Sequence, residues 1–127
     1  MDADLLQTRQ EARRLVKIYN ELDGAETEEA QEILNKLLGT KGQKCLIEMP
    51  FRCDYGSNIR LGDDVCMNYN CVLLDVYAIT IGNRVMLAPN VQLYTATHPL
   101  GPKARNLGYE LGKPITIEDD VWIGGML

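Results

Sequence analysis

The sequence predicts a mainly β fold, a solenoid of six-residue repeats preceded by a short helical region. Residues 81–98, IGNRVMLAPNVQLYTATH, divide into three blocks of six. Each block opens on an aliphatic residue (Ile81, Leu87, Leu93) and carries a small or β-branched one four places later (Val85, Val91, Thr97). Six is neither the helical period of 3.6 nor the strand period of two, and a fixed short repeat marks stacked architectures. The same pattern recurs in LGDDVC (61–66) and IEDDVW (117–122). Before about Cys45 the chain is instead rich in helix formers.

Taken in order, Asp2 to Asn20 reads as an amphipathic helix, capped by Asp2 or Asp4. Leu5, Ala12, Leu15, Val16 and Tyr19 form its apolar stripe, and Arg9, Glu11, Arg13, Arg14 and Lys17 its solvated face. Asp23-Gly24 ends it. Thr27 suits the cap of a second helix with Ala30, Ile33, Leu34, Leu37 and Leu38 on one side, and Gly39 suits its C-terminal cap. Stripes this narrow require a larger body to lie against. Residues 1–40 are therefore read as a helical region and 41–127 as the solenoid.

Extending the register backwards from Leu61 adds MNYNCV (67–72) forward of it and two loose blocks, 49–54 and 55–60, before it. Leu73 to Thr80 has eight residues, a slip of two, and about nine hexads result. Three hexads close a triangular coil, and each coil buries its faces against the next. Gly, Asn and Asp beside the aliphatic position suit turns with unusual backbone angles. An antiparallel sandwich is the alternative, but three consecutive blocks in register argue against it. Residues 99–114 interrupt the repeat directly after His98, the only histidine, and a loop this long in a compact domain is commonly functional.

Composition narrows the function classes. A length of 127 residues implies one domain. A net charge of −5 argues against nucleic-acid binding, which needs a basic face. No apolar run reaches a membrane span and no secretory-leader pattern is read. The cysteines (Cys45, Cys53, Cys66, Cys71) contain no C-x-x-C, which fits reduced thiols in a cytoplasm.

Several stretches together are specific: FRCDYGSNI (51–59), Asn68 and Asn70 before LLDV (73–76), LAPNVQLYTATHPLGPKARN (87–106), GYELGKPITI (108–117) and DVWIGG (120–125). With EARRLVKIYN (11–20), they resemble the hexapeptide-repeat acyltransferases, and within them the maltose and galactoside O-acetyltransferases. The resemblance implies a left-handed parallel β-helix, an exception to the right-handed crossover rule. It also implies a homotrimer with sites between neighbouring subunits, and transfer of acetyl from acetyl-CoA to a sugar hydroxyl with no metal. Measured against that family, the chain is expected to be truncated at both ends, with C-terminal coils absent.

The resemblance assigns roles residue by residue. His98, in its T-H-P context, is the expected general base, since an imidazole titrates near neutrality; by itself a lone corner histidine could as well make one structural hydrogen bond. Asn68 is expected to donate to the thioester carbonyl and to contact both substrates, or to be an asparagine at a left-handed turn. Glu110 is expected to orient His98 or bind the acceptor, or to be a solvated carboxylate. Asp54 is expected at the acceptor, or as the cap of the Tyr55-Gly56 turn. Trp122, Gly124 and Gly125 are expected to line the CoA channel, or to be the next hexad turn. No placed serine or cysteine points to an acyl-enzyme, although Cys66 and Cys71 merit thiol labelling. The other readings are a xenobiotic acetyltransferase of the same fold and an inactive structural β-helix. A zinc site would need several histidines, and there is one.

Overall fold

The computed structural model describes residues 3–97 and 111–124. Two helices, α1 (Ala3–Asn20) and α2 (Glu28–Leu37), precede a triangular stack of short parallel strands. The first side holds β1 (Thr40–Lys41), β4 (Ile59–Leu61), β7 (Ile79–Ile81) and β12 (Ile115–Ile117). The second holds β2 (Leu46–Ile47), β5 (Cys66–Met67), β8 (Met86–Leu87) and β13 (Trp122–Ile123). The third holds β3 (Phe51–Cys53), β6 (Cys71–Leu74) and β9 (Gln92–Tyr94). Among the described residues no helix is long and apolar enough to cross a membrane.

Stacked positions in register are Lys41, Leu61, Ile81 and Ile117 on the first side, and Ile47, Met67, Leu87 and Ile123 on the second. Cys53, Leu73 and Leu93 stack on the third. Along one coil these anchors run Leu61, Met67, Leu73, Ile81, so the intervals are six, six and eight. The sequence reading placed the two-residue slip once, at 73–80. The structure places it in both uninterrupted coils, from Cys53 to Leu61 and from Leu73 to Ile81, which is why the blocks 49–54 and 55–60 fitted loosely: their anchors are Ile47 and Cys53. The side chains of Ile47, Leu61, Met67, Leu73, Ile81 and Leu87 point inward and are buried, each contributing roughly 1.5–3 kcal/mol.

The extra pair of residues makes the corner between the third and first sides, and buried side chains hold it. Asp75, 0% exposed, accepts from the backbone N–H of Asp54 (3.0 Å), Tyr55 (2.9 Å) and Asn58 (3.2 Å). One coil on, the Thr95 hydroxyl accepts from Tyr77 N–H at 3.0 Å and donates to the Leu74 carbonyl at 2.6 Å. The corner between the first and second sides uses a different device. Asp63, Asn83 and Asp119 each accept, through Oδ1, the N–H of the coil below: Gln43 (2.8 Å), Asp63 (2.8 Å) and Asn83 (2.7 Å). A Cβ at Gly62 would overlap Asn83 Oδ1 and sit 2.9 Å from the Gly82 carbonyl carbon. Glycine is needed there for close approach rather than for a positive φ. At this corner the left-handed residues are Lys44, Asp64, Arg84 and Asp120, whose charges alternate from coil to coil, with Arg84 Nε 2.7 Å from Asp120.

The helices close the end of the stack that has no earlier coil. Tyr19 Oη donates to the Ile47 carbonyl (2.5 Å), and Gln31 Nε2 to the Cys45 carbonyl (3.0 Å). Asn20 gives Nδ2–H to the Phe51 carbonyl (3.0 Å) and accepts Phe51 N–H (2.9 Å). Unpaired strand edges are thereby satisfied, as solenoid ends require. Thr27 caps α2, its hydroxyl accepting from Ala30 N–H at 3.1 Å. Two details depart from the sequence reading. Leu5 is 47% exposed rather than part of the buried stripe. The C-cap of α2 is Leu38 in extended conformation, and Gly39 serves to let the Ser57 carbonyl approach while its own N–H donates to Ile59 at 3.0 Å.

Candidate functional site

The outer face of the second side gathers three of the predicted site residues. Strand alternation turns Leu46, Cys66, Met86 and Trp122 outward in one row, register partners from coil to coil. Trp122 is 74% and Met86 54% exposed. Two residues along, Glu48, Asn68, Ala88 and Gly124 follow the same strands, with Asn68 N–H donating to Leu87 and Ala88 N–H to Ile123, both at 2.9 Å. Asn68 and Gly124 are thus two coil steps apart, roughly 10 Å. Among the described residues nothing lies within 4 Å of where a Gly124 Cβ would sit.

The orientation of the Asn68 amide follows from its neighbours. Tyr69 N–H donates to Asn68 Oδ1 at 2.8 Å. Only the carbonyl end can accept that bond, so Nδ2 is the free end. It has no partner among the described residues, and the side chain is exposed. The left-handed turn residue nearby is Asn70, with φ 65°, so the turn explanation for Asn68 does not hold.

A second group lies along the corner between the third and first sides. Asp54 is half-buried there, its backbone N–H tied to Asp75. In a later coil of the same corner, β10 (Ala96–Thr97) pairs antiparallel with β11 (Leu111–Gly112), Ala96 opposite Gly112 and Thr97 opposite Leu111. This ribbon brings together the two ends of the interrupting segment, and Lys113 N–H donates to the Thr95 carbonyl at 2.9 Å. His98 and Glu110 lie outside the described residues, as does Gly125. The run from Asn90 to Thr95, five residue steps, crosses the third side between the two groups, roughly 17 Å of extended chain.

Clefts occur elsewhere. One of about 620 Å3 lies between α1, α2 and the Tyr55–Ser57 corner and is lined by Gln7, Thr8, Arg14, Lys36 and Ser57 among others. It touches neither Asn68 nor Trp122. A shallow groove of about 230 Å3 crosses the third side past Arg52, Asn70, Asn90 and Gln92. Among the described residues no cluster of three or more His, Cys, Asp and Glu could hold a metal ion. Burial raises the thiol pKa of Cys45, Cys53 and Cys71, which keeps them protonated. Sequence reasoning missed Met86, the neighbour of Trp122, and the corner role of Asp75. A twenty-residue coil spacing would have found Asp75, and pairing Met86 with Trp122 needs the interruption counted as well, since they stand 36 residues apart.

Residues 1–42 match the maltose acetyltransferase hexapeptide capping motif. A Dictyostelium discoideum protein named as an acetyltransferase is 47% identical over 98% of this chain and 64% of its own length. The galactoside O-acetyltransferase of Lactococcus lactis is 36% identical over 97% of this chain and 60% of its own. The chain therefore spans less than two thirds of the length of these curated relatives. Among solved structures, a hexapeptide-repeat acetyltransferase from Vibrio cholerae superimposes with a TM-score of 0.93 at 40% identity, over 98% of this chain and 69% of that one. The same Vibrio enzyme has been solved with acetyl coenzyme A. A Clostridium difficile maltose O-acetyltransferase gives 0.93 at 45% identity, over 98% and 66%.

Proposed function

The chain belongs to the hexapeptide-repeat acetyltransferases, with their left-handed parallel β-helix, and from that premise we propose that it moves acetyl from acetyl-CoA to a sugar hydroxyl, maltose- or glucose-like in class. The transfer is direct. His98 takes the proton of the acceptor hydroxyl as its oxygen bonds to the thioester carbonyl carbon. Charge develops on the carbonyl oxygen, where Asn68 Nδ2–H donates; a donor of this kind is worth on the order of 100- to 1000-fold in rate. The carbon–sulfur bond then breaks, and the proton held on His98 passes to the departing CoA sulfur. Glu110 orients the imidazole, and Asp54 contacts the acceptor. Trp122, Gly124 and Gly125 line the path of the pantetheine arm, which a glycine lets approach the backbone.

The observation that carries this reading is the Asn68 amide. Its oxygen is occupied by Tyr69 N–H and its NH2 group is unpartnered among the described residues, on the face that holds Trp122 and Gly124. Asp54 and Asn68 lie at opposite margins of the third side. That separation fits a site shared by different chains, as in the homotrimer with sites between neighbours that the resemblance implies. The apolar row Leu46, Cys66, Met86, Trp122, half-buried at its first two members and exposed at Met86 and Trp122, supports an intersubunit contact.

Mixing inactive variants tests both statements. Asn68→Ala and His98→Ala are each inactive in this reading. Trimers assembled from an equal mixture regain about a quarter of wild-type CoA release, because a cyclic assembly pairs an intact His98 with an intact Asn68 at that fraction of its interfaces. No recovery from properly assembled mixtures would place the site within one chain. Wild-type turnover in both single variants would reject the chemistry. A screen of sugars against aromatic xenobiotic acceptors separates this reading from a xenobiotic acetyltransferase.

A further inference from the structure

Tyr77 is unexplained by the repeat. It lies in the two-residue extension of the corner, 38% exposed, with its N–H on the Thr95 hydroxyl. Its ring is seated on the backbone of Gly112. A Cβ at 112 would lie 2.5 Å from Tyr77 Cε2 and overlap the Thr95 carbonyl oxygen. That same carbonyl accepts Lys113 N–H. The return strand β11 is therefore fixed to the coil in three ways. It pairs with β10, the next residue bonds to Thr95, and the Tyr77 ring fills the space where a side chain at 112 would go. A two-residue ribbon has little stability by itself, so the contacts with the coil decide where it sits.

We propose that Tyr77 is a positioning residue for the acetyl transfer: its ring, packed on Gly112, sets the ribbon from which His98 and Glu110 follow. The two residues stand one position in sequence beyond the Thr97–Leu111 rung. The role belongs to the ring and not to the phenol oxygen, because the contact recorded at Gly112 is with ring carbons. It rests on the transfer reading only for its kinetic consequence. A displacement of about 1 Å at a reacting group costs on the order of 100-fold in rate.

The test compares Tyr77→Phe, Tyr77→Leu and Tyr77→Ala in the assembled protein. His98 is the only histidine, so its imidazole gives one set of NMR signals whose titration reports its surroundings without any need for turnover. Tyr77→Phe should leave both the His98 titration and kcat within twofold of wild type. Tyr77→Ala should move the His98 titration and lower kcat ten- to a hundredfold, with KM for acetyl-CoA unchanged, since the CoA group lies on the second side. Tyr77→Leu keeps bulk at the corner and should fall between them, which preserves the test if the alanine variant fails to fold. Wild-type titration and kcat in both Leu and Ala variants would overturn the proposal, and so would a Phe variant as impaired as Ala. If the wild-type protein releases no CoA, the transfer reading fails, while the titration still decides the role of Tyr77.

Discussion

Removing the Asp75 carboxyl group should unlock the corner that repeats through the stack. Its two oxygens serve three backbone donors of the coil below, at 2.9–3.2 Å, in a position with no solvent exposure. In Asp75→Ala the Tyr55 N–H is stranded in a buried site, at about 1–3 kcal/mol, and the half-buried Asp54 and Asn58 donors each lose about 0.5–1.5 kcal/mol net. The sum is roughly 2–6 kcal/mol, or about 7–22 °C in Tm for a domain of this size. Asp75→Asn keeps one acceptor oxygen for Asp54 and Tyr55 but turns an N–H2 toward Asn58 N–H, so it should lose about 1–2 kcal/mol. Asp75→Thr copies the hydroxyl that Thr95 uses one coil on and should fall between. Thermal unfolding followed by far-UV circular dichroism measures the series. An alanine variant within about 1 kcal/mol of wild type, or an asparagine variant worse than alanine, would refute the reasoning.

Three further outcomes follow from the same packing. Gly62→Ala drives a Cβ into the Asn83 side chain and the Gly82 backbone and should cost about 1–3 kcal/mol by urea unfolding. Tyr19→Phe removes the hydrogen bond that closes Ile47 and should cost about 1–2 kcal/mol near pH 7. Burial, then the charge of Glu48, raises the Tyr19 pKa, so the neutral phenol is favoured in the folded chain. Its contribution is complete below the unfolded value of about 10 and is lost as pH climbs towards the raised folded value. The wild-type advantage over Tyr19→Phe should therefore shrink in alkaline urea titrations, and an advantage that grows with pH would contradict the assignment. A disulfide-exchange reagent should label Cys66 first: Cys45 and Cys71 are buried, and Cys53, although partly exposed, has its thiol pKa raised by burial and by the nearby Asp75 and Asp54 charges. That labelling should slow on trimer assembly.

Much of the stack was legible because interior positions must be aliphatic wherever coils meet, and Ile81, Leu87 and Leu93 announce the spacing. The recurring eight-residue interval was not, because its signal is polar and differs between coils: Asp75 in one and Thr95 in the next hold the corner by different bonds. Gly, Asn and Asp were read as sources of unusual φ, and Asp64, Asn70, Asn90, Asp120 and Gly56 do take left-handed angles, but so do Lys44 and Arg84, while Gly62 and Gly39 are needed for close approach. Sequence proximity cannot reveal that spacing places Asn68, Trp122 and Gly124 on one face and Asp54 on the far margin. That follows only from knowing that an uninterrupted coil takes twenty residues and the interrupted one 36. The role of Tyr77 was invisible for the same reason, since its neighbour Gly112 lies beyond the interruption.

The central claim is acetyl transfer with His98 as base, and CoA release from acetyl-CoA in the presence of maltose, glucose or a galactoside tests it most directly. The account predicts acceptor-dependent release by the wild-type protein and a loss of roughly 100- to 10,000-fold in His98→Ala, with fold and assembly unchanged. Release that is unchanged in His98→Ala, or absent from the folded and assembled wild-type protein with every acceptor, would contradict it.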